Sequence, residues 1–210
     1  MNTKEITVRN DEESVKEVLA LADQFAEDAK LTGRTKLHVT LLAEEAISMI
    51  TAITGDFEGS FYIEGDEKGC KLHLDSRTSM DADKRRELLK VSSSGKNAAV
   101  KGIMGKIREL FETGMEDYKE VAALQSDYGV GTIGYGEMGL DSSYAMTQAS
   151  LVWSLSRYRD NVESTMNSQE SSQEAWDELE KSIVANIASD VKVGILKGKV
   201  SLVIELPYKD

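Results

Sequence analysis

Proline and cysteine each occur once in 210 residues. The single proline, Pro207, stands near the last residue, so no proline-rich linker divides the chain. The single cysteine, Cys70, cannot form an intrachain disulfide or a cysteine-based zinc cluster, and its surroundings read as a strand in which it is a small buried apolar residue. Histidine occurs twice, at His38 and His73, too far apart in sequence to suggest a histidine-rich metal site or to support a Ser-His-Asp triad. Positive charge is also scarce. The chain has 25 basic against 37 acidic residues, a formal net charge of -12. That field repels phosphate backbones and excludes general nucleic-acid binding. The basic trio Lys84-Arg85-Arg86 reads as a solvated helix face. Met1 to Glu5 contain no apolar signal-peptide core, and no uninterrupted apolar run approaches the roughly 20 residues that span a bilayer. The expected compartment is the cytoplasm, with no membrane association.

What is present is a globular pattern. The 40% apolar fraction is ordinary for a folded domain and too high for a disordered chain. Ile6-Thr7-Val8 alternates as a short strand, and Asn10 with Glu13 reads as a capping box that opens a helix. That helix carries Val15, Val18, Leu19, Ala22, Phe25, Ala26 and Ala29 on one face, and Gly33 ends the unit. The next helix, about 35–53, is apolar around nearly its whole circumference, which predicts burial on most sides. Glu44, Glu45 and Ser48 interrupt it. A buried carboxylate is costly unless paired, so one glutamate must face a cleft, a partner group or the surface. Residues 60–63 and 70–74 read as a hairpin closed by Asp66-Glu67-Lys68-Gly69, with Asp75 ending the second strand.

Beyond it the spacing predicts helices near 83–91 and 98–112, a glycine- and tyrosine-rich loop, and two further helices. The first of these has Leu151, Val152, Leu155, Tyr158, Val162 and Met166 as its stripe, and the second is capped by Ser171-Ser172-Gln173-Glu174. A hairpin follows, 191–196 and 199–206 about Lys197-Gly198. Gly129 to Gly134 satisfies GxGxxG, but no buried strand precedes it and no helix follows directly, so it reads as a flexible loop and not a dinucleotide fingerprint. Gly95-Lys96-Asn97 lacks the first glycine and the hydroxyl residue of a P-loop.

The ordered series carries more. A strand and an amphipathic helix lead to the buried helix bearing Glu44-Glu45-Ala46-Ile47-Ser48-Met49. A hairpin with Asp75 follows, then a charged segment, then a helix near Gly102-Ile103-Met104-Gly105, and finally the closing hairpin from Lys192 to Pro207. In this order the segments resemble the GHKL ATPase superfamily, the histidine-kinase-type ATP-binding domain, and most nearly the bacterial anti-sigma-factor serine kinases. The resemblance implies an α+β fold, a two-layer sandwich of helices on a mixed sheet. Residues 1–113 and 175–210 would form it, and 114–174 would be a loop and helical insertion before the last hairpin.

The resemblance implies that Glu45 holds the acid position of the family's Glu-x-x-x-Asn box, as general base. The magnesium-ligating Asn position is then Met49, a poor ligand for a hard cation. A one-residue shift pairs Glu44 with Ser48, whose hydroxyl could ligate weakly. Asp75 would anchor adenine, but the run Asp75-Ser76-Arg77-Thr78-Ser79 lacks both glycines of the family's Asp-x-Gly-x-Gly. Gly102 and Gly105 half-keep the later glycine box. The expected function is regulatory, a pseudo-enzyme acting through a protein partner and without a cofactor, with a homodimer as one possible assembly through the aromatic-rich 114–172. The first alternative is an active serine kinase or ATPase that uses ATP and magnesium. The second is an unrelated α+β scaffold or small-molecule-binding module.

Overall fold

The computed structural model describes residues 1–77, 151–165, 170–196 and 199–208. The expected helices at 83–91 and 98–112, the loop at 129–134, the Lys84-Arg85-Arg86 trio, Gly102, Gly105 and the Lys197-Gly198 turn lie outside the described residues. The described elements follow in the order β1 (Ile6–Arg9), α1 (Glu12–Asp28), α2 (Gly33–Thr54), β2 (Glu58–Gly65), β3 (Gly69–Arg77), β4 (Leu151–Ser154), α3 (Leu155–Thr165), α4 (Glu170–Lys181), α5 (Ile183–Ile187), β5 (Asp190–Leu196) and β6 (Lys199–Pro207).

Helix α1 starts one residue later than the capping box at Asn10 implied. Asp11 is its cap, and the Ser14 amide donates to Asp11 Oδ1 at 2.7 Å. The Ser14 hydroxyl in turn accepts from the Arg9 amide at 2.9 Å, which ties β1 to the helix start. Asn10 instead turns toward α2, where its Oδ1 accepts from Thr51 at 3.4 Å. Lys30, at φ 55°, takes the left-handed position just past α1. Gly33, with its own positive φ, is the first residue of α2.

The hairpin β2–β3 forms as its turn chemistry predicts. Asp66 Oδ1 accepts from the Lys68 and Gly69 amides at 2.7 and 3.1 Å, and these bonds hold its carboxyl below the usual range. Strand β3 continues past Asp75, which pairs with Ser60, to Arg77 opposite Glu58. The six strands run in the order β1-β2-β3-β6-β5-β4. Every described pairing is antiparallel, where a mixed sheet was expected. Residues 151–154 form the edge strand beside β5, so the expected helical stripe begins only at Leu155. Leu-Val-Trp-Ser is a short apolar run that suits either state, and pairing with β5 decides it.

The described helices lie on one face of the sheet. Val18, Ala22 and Phe25 of α1 and Leu42, Ala46 and Ile50 of α2 join Phe61, Leu72, Leu74, Leu202 and Ile204 in one core. Trp153, Leu155, Tyr158 and Val162 belong to the same core. Each fully buried Val, Leu, Ile or Phe among them contributes about 1.5–3 kcal/mol. The fold class is therefore α+β, built as a helix layer on a sheet. By length and composition α2 could cross a membrane, and 50% of its most apolar window is buried inside the fold.

Candidate functional site

Helix α2 presents the residues singled out for chemistry on its shoulder. Leu42, Ala46, Met49 and Ile50 face inward. Glu45 sits beside them and is half-buried, while Glu44 is exposed. Burial, and secondarily the charge of Glu44, raises the Glu45 carboxyl above its ordinary range. Ser48 is also exposed, and its hydroxyl donates to the Glu44 carbonyl at 3.2 Å, a bond to its own helix. Met49 is only 5% exposed. The i, i+4 pairs expected from sequence, Glu45/Met49 and Glu44/Ser48, thus combine a half-buried acid with a core thioether, and an exposed acid with an exposed hydroxyl.

Strand parity determines where Asp75 lies. Cys70, Leu72 and Leu74 of β3 point into the core with α2, so the intervening residues point out from the other face. Asp75 belongs to that outer set, and its charge acts on Tyr62 and His73 there. The inward residue at this end of β3 is Ser76. It is 2% exposed and donates to the Val200 carbonyl at 3.3 Å. The sheet therefore separates Asp75 from Glu45, and Gly102 and Gly105 lie outside the described residues. Among the described residues, Asp75 and Glu45 are not brought together. The carboxylate faces away from α2, the inward position offers a hydroxyl already engaged with backbone, and Met49 offers no oxygen. Among the described residues no three His, Cys, Asp or Glu side chains group as a metal site.

The outer face holds a group that motif reading missed. The Tyr62 and His73 rings stack with centroids 4.5 Å apart and planes 3° from parallel. Burial chiefly, then the charges of Glu64 and Asp75, pushes the Tyr62 phenol up to about 12. Burial lowers the His73 pKa, against the pull of Glu64 and Asp75. Glu205 bridges Lys192 at 2.9 Å and Lys71 at 3.4 Å on the same face. The signal for the stack was the Asp66–Gly69 turn, because counting back from it sets Tyr62 opposite His73. At the far end of β3 from Asp75, an open cleft of about 430 Å³ is lined by residues including Glu64, Lys68, Cys70, Lys71 and Glu205. Burial raises the Cys70 thiol to about 11, so it is no thiolate nucleophile near neutrality. No protein-family model, curated protein or solved structure matches the chain.

Proposed function

We propose that this chain is an intracellular regulatory protein with a degenerate GHKL-like ATP-binding domain, which acts by binding another protein, with weak or absent ATPase or kinase activity. The order of elements supports the likeness: strand, two helices, a hairpin, and a closing hairpin whose last strand lies beside β3. One observation carries the loss of catalysis. Asp75, the residue that resembles the family's adenine anchor, faces away from the helix that bears Glu45, and Ser76 takes the inward place. A hydroxyl bonded to Val200 cannot supply the ionic acceptor that a carboxylate would.

A second reading is an active magnesium-dependent serine kinase, with Glu45 as base. Its half-buried carboxyl and raised pKa favour that role, because a general base works best with a pKa brought toward the operating pH. A thermal shift with ATP and magnesium separates the two. A ligand that binds only the folded state stabilises it by RT ln(1 + [L]/Kd), about 2.7 kcal/mol at a 100-fold excess over Kd. The expected result is no saturable shift. A saturable shift of several degrees, together with phosphate release that Glu45→Gln abolishes, would establish the kinase reading instead.

A further inference from the structure

His73 sits in the centre of the sheet on its outer face, between Tyr62 of β2 and Val203 of β6. The residue is 2% exposed, and neither ring nitrogen has a hydrogen-bond partner. A buried polar group left in this state costs free energy, and its persistence calls for an explanation. Glu64 Oε2 lies 3.2 Å from Nε2, within ion-pair reach. Among the described residues, the titratable and charged groups around the ring are Tyr62 and Glu64 on β2, Lys71 and Asp75 on β3, and Glu205 on β6. Glu205 is engaged by Lys71 and Lys192. Among the described residues, Glu64 and Asp75 have no lysine or arginine ion pair. A neutral ring can meet neither carboxylate with full effect, whereas a protonated one would be drawn to both.

We propose that His73 is a proton-responsive element of the outer sheet face: protonation draws the ring from its stack on Tyr62 toward Glu64 and Asp75 and loosens that face. This inference is independent of the ATP question. The direction follows from burial, which holds the His73 pKa below its unfolded value and outweighs the two carboxylates. A histidine depressed in this way stabilises the fold fully above its unfolded pKa of about 6.5, and that stability is lost as pH falls through the folded value.

The chain has only two histidines, which makes the test clean. Melting of the full chain is followed from pH 7.5 to 5.5 in wild type, His38→Gln and His73→Phe, the last keeping an aromatic ring on Tyr62. Wild type and His38→Gln should both lose roughly 2–4 °C across that range. His73→Phe should lose markedly less. An unchanged slope in His73→Phe would overturn the proposal. Should that variant fail to fold, histidine NMR of wild type decides. A His73 midpoint below about 6.5, with Tyr62 ring shifts following the same titration, supports it. A midpoint at or above that value, or a Tyr62 ring that does not respond, overturns it.

Discussion

The Ser154 hydroxyl lies 3.1 and 3.2 Å from the two carboxylate oxygens of Asp190, and both residues are buried. The Ser156 and Val191 amides donate to the same carboxylate at 2.9 and 2.8 Å. One side chain therefore joins the edge strand, the first turn of α3 and the start of β5. Asp190→Ala should destabilise by about 2–4 kcal/mol, because it leaves several buried donors without an acceptor. Asp190→Asn keeps one acceptor oxygen and should cost less. Denaturant midpoints at constant m-value check both.

Gly59 is the tightest point of the β2–β3 ladder. A β-carbon there would overlap the Asp75 carbonyl oxygen and stand 3.0 Å from the Ser76 Cα. Both are backbone atoms, which cannot swing aside. Gly59→Ala should cost about 1–3 kcal/mol or more by forcing the strands apart. Amide exchange should rise first in residues 58–61 and 74–77. An unaffected exchange pattern there would show that the ladder yields elsewhere.

Residues 151–165 bring Trp153, Leu155, Tyr158 and Val162 into the chain's own core. Trp153 and Tyr158, two of the aromatics in the region expected to offer a homodimer or partner surface, are buried here, and Tyr128, Tyr135 and Tyr144 lie outside the described residues. Replacing 114–170 by a short linker should abolish cooperative unfolding and not leave a folded monomer. Trp153→Ala alone should cost about 3–5 kcal/mol. Near-ultraviolet circular dichroism and calorimetry read both outcomes.

Glu45 gives a prediction of the opposite sign to His73. Its folded pKa is raised, so its ionised form opposes folding above that pKa, and the penalty disappears below the unfolded value of about 4.3. Glu45→Gln should raise the denaturation midpoint at pH 7, by a modest amount because the half-buried side chain is still partly screened by solvent. Near pH 4 the variant and wild type should converge. A variant less stable at pH 7 would mean that the carboxylate has a favourable partner.

Much of the local structure was legible from residue patterns. The circumferentially apolar run at 35–53 became the buried α2, and the Asp66–Gly69 turn closed its hairpin. Two boundaries moved, one through local competition for a helix cap and one through pairing with a distant strand. Asp11, not Asn10, meets the Ser14 amide, and Leu151–Ser154 joins β5 although its spacing continues the helical stripe. The pattern required one of Glu44 and Glu45 to face a cleft, a partner group or the surface, and the structure leaves Glu44 exposed and Glu45 half-buried.

The sequence alone therefore determined the α+β class, the apolar faces and the turn that sets the β2–β3 register. Only the tertiary structure decided which face of the sheet each candidate side chain occupies. In a strand that orientation reverses at every residue, so a motif aligned one position off exchanges core for outer face. Asp75 and Ser76 are neighbours in sequence, yet one acts on Tyr62 and His73 outside while the other bonds Val200 inside. Among the described residues the helix layer lies on the inner face, and its position depends on long-range packing of α1, α2 and α3 that no local pattern records.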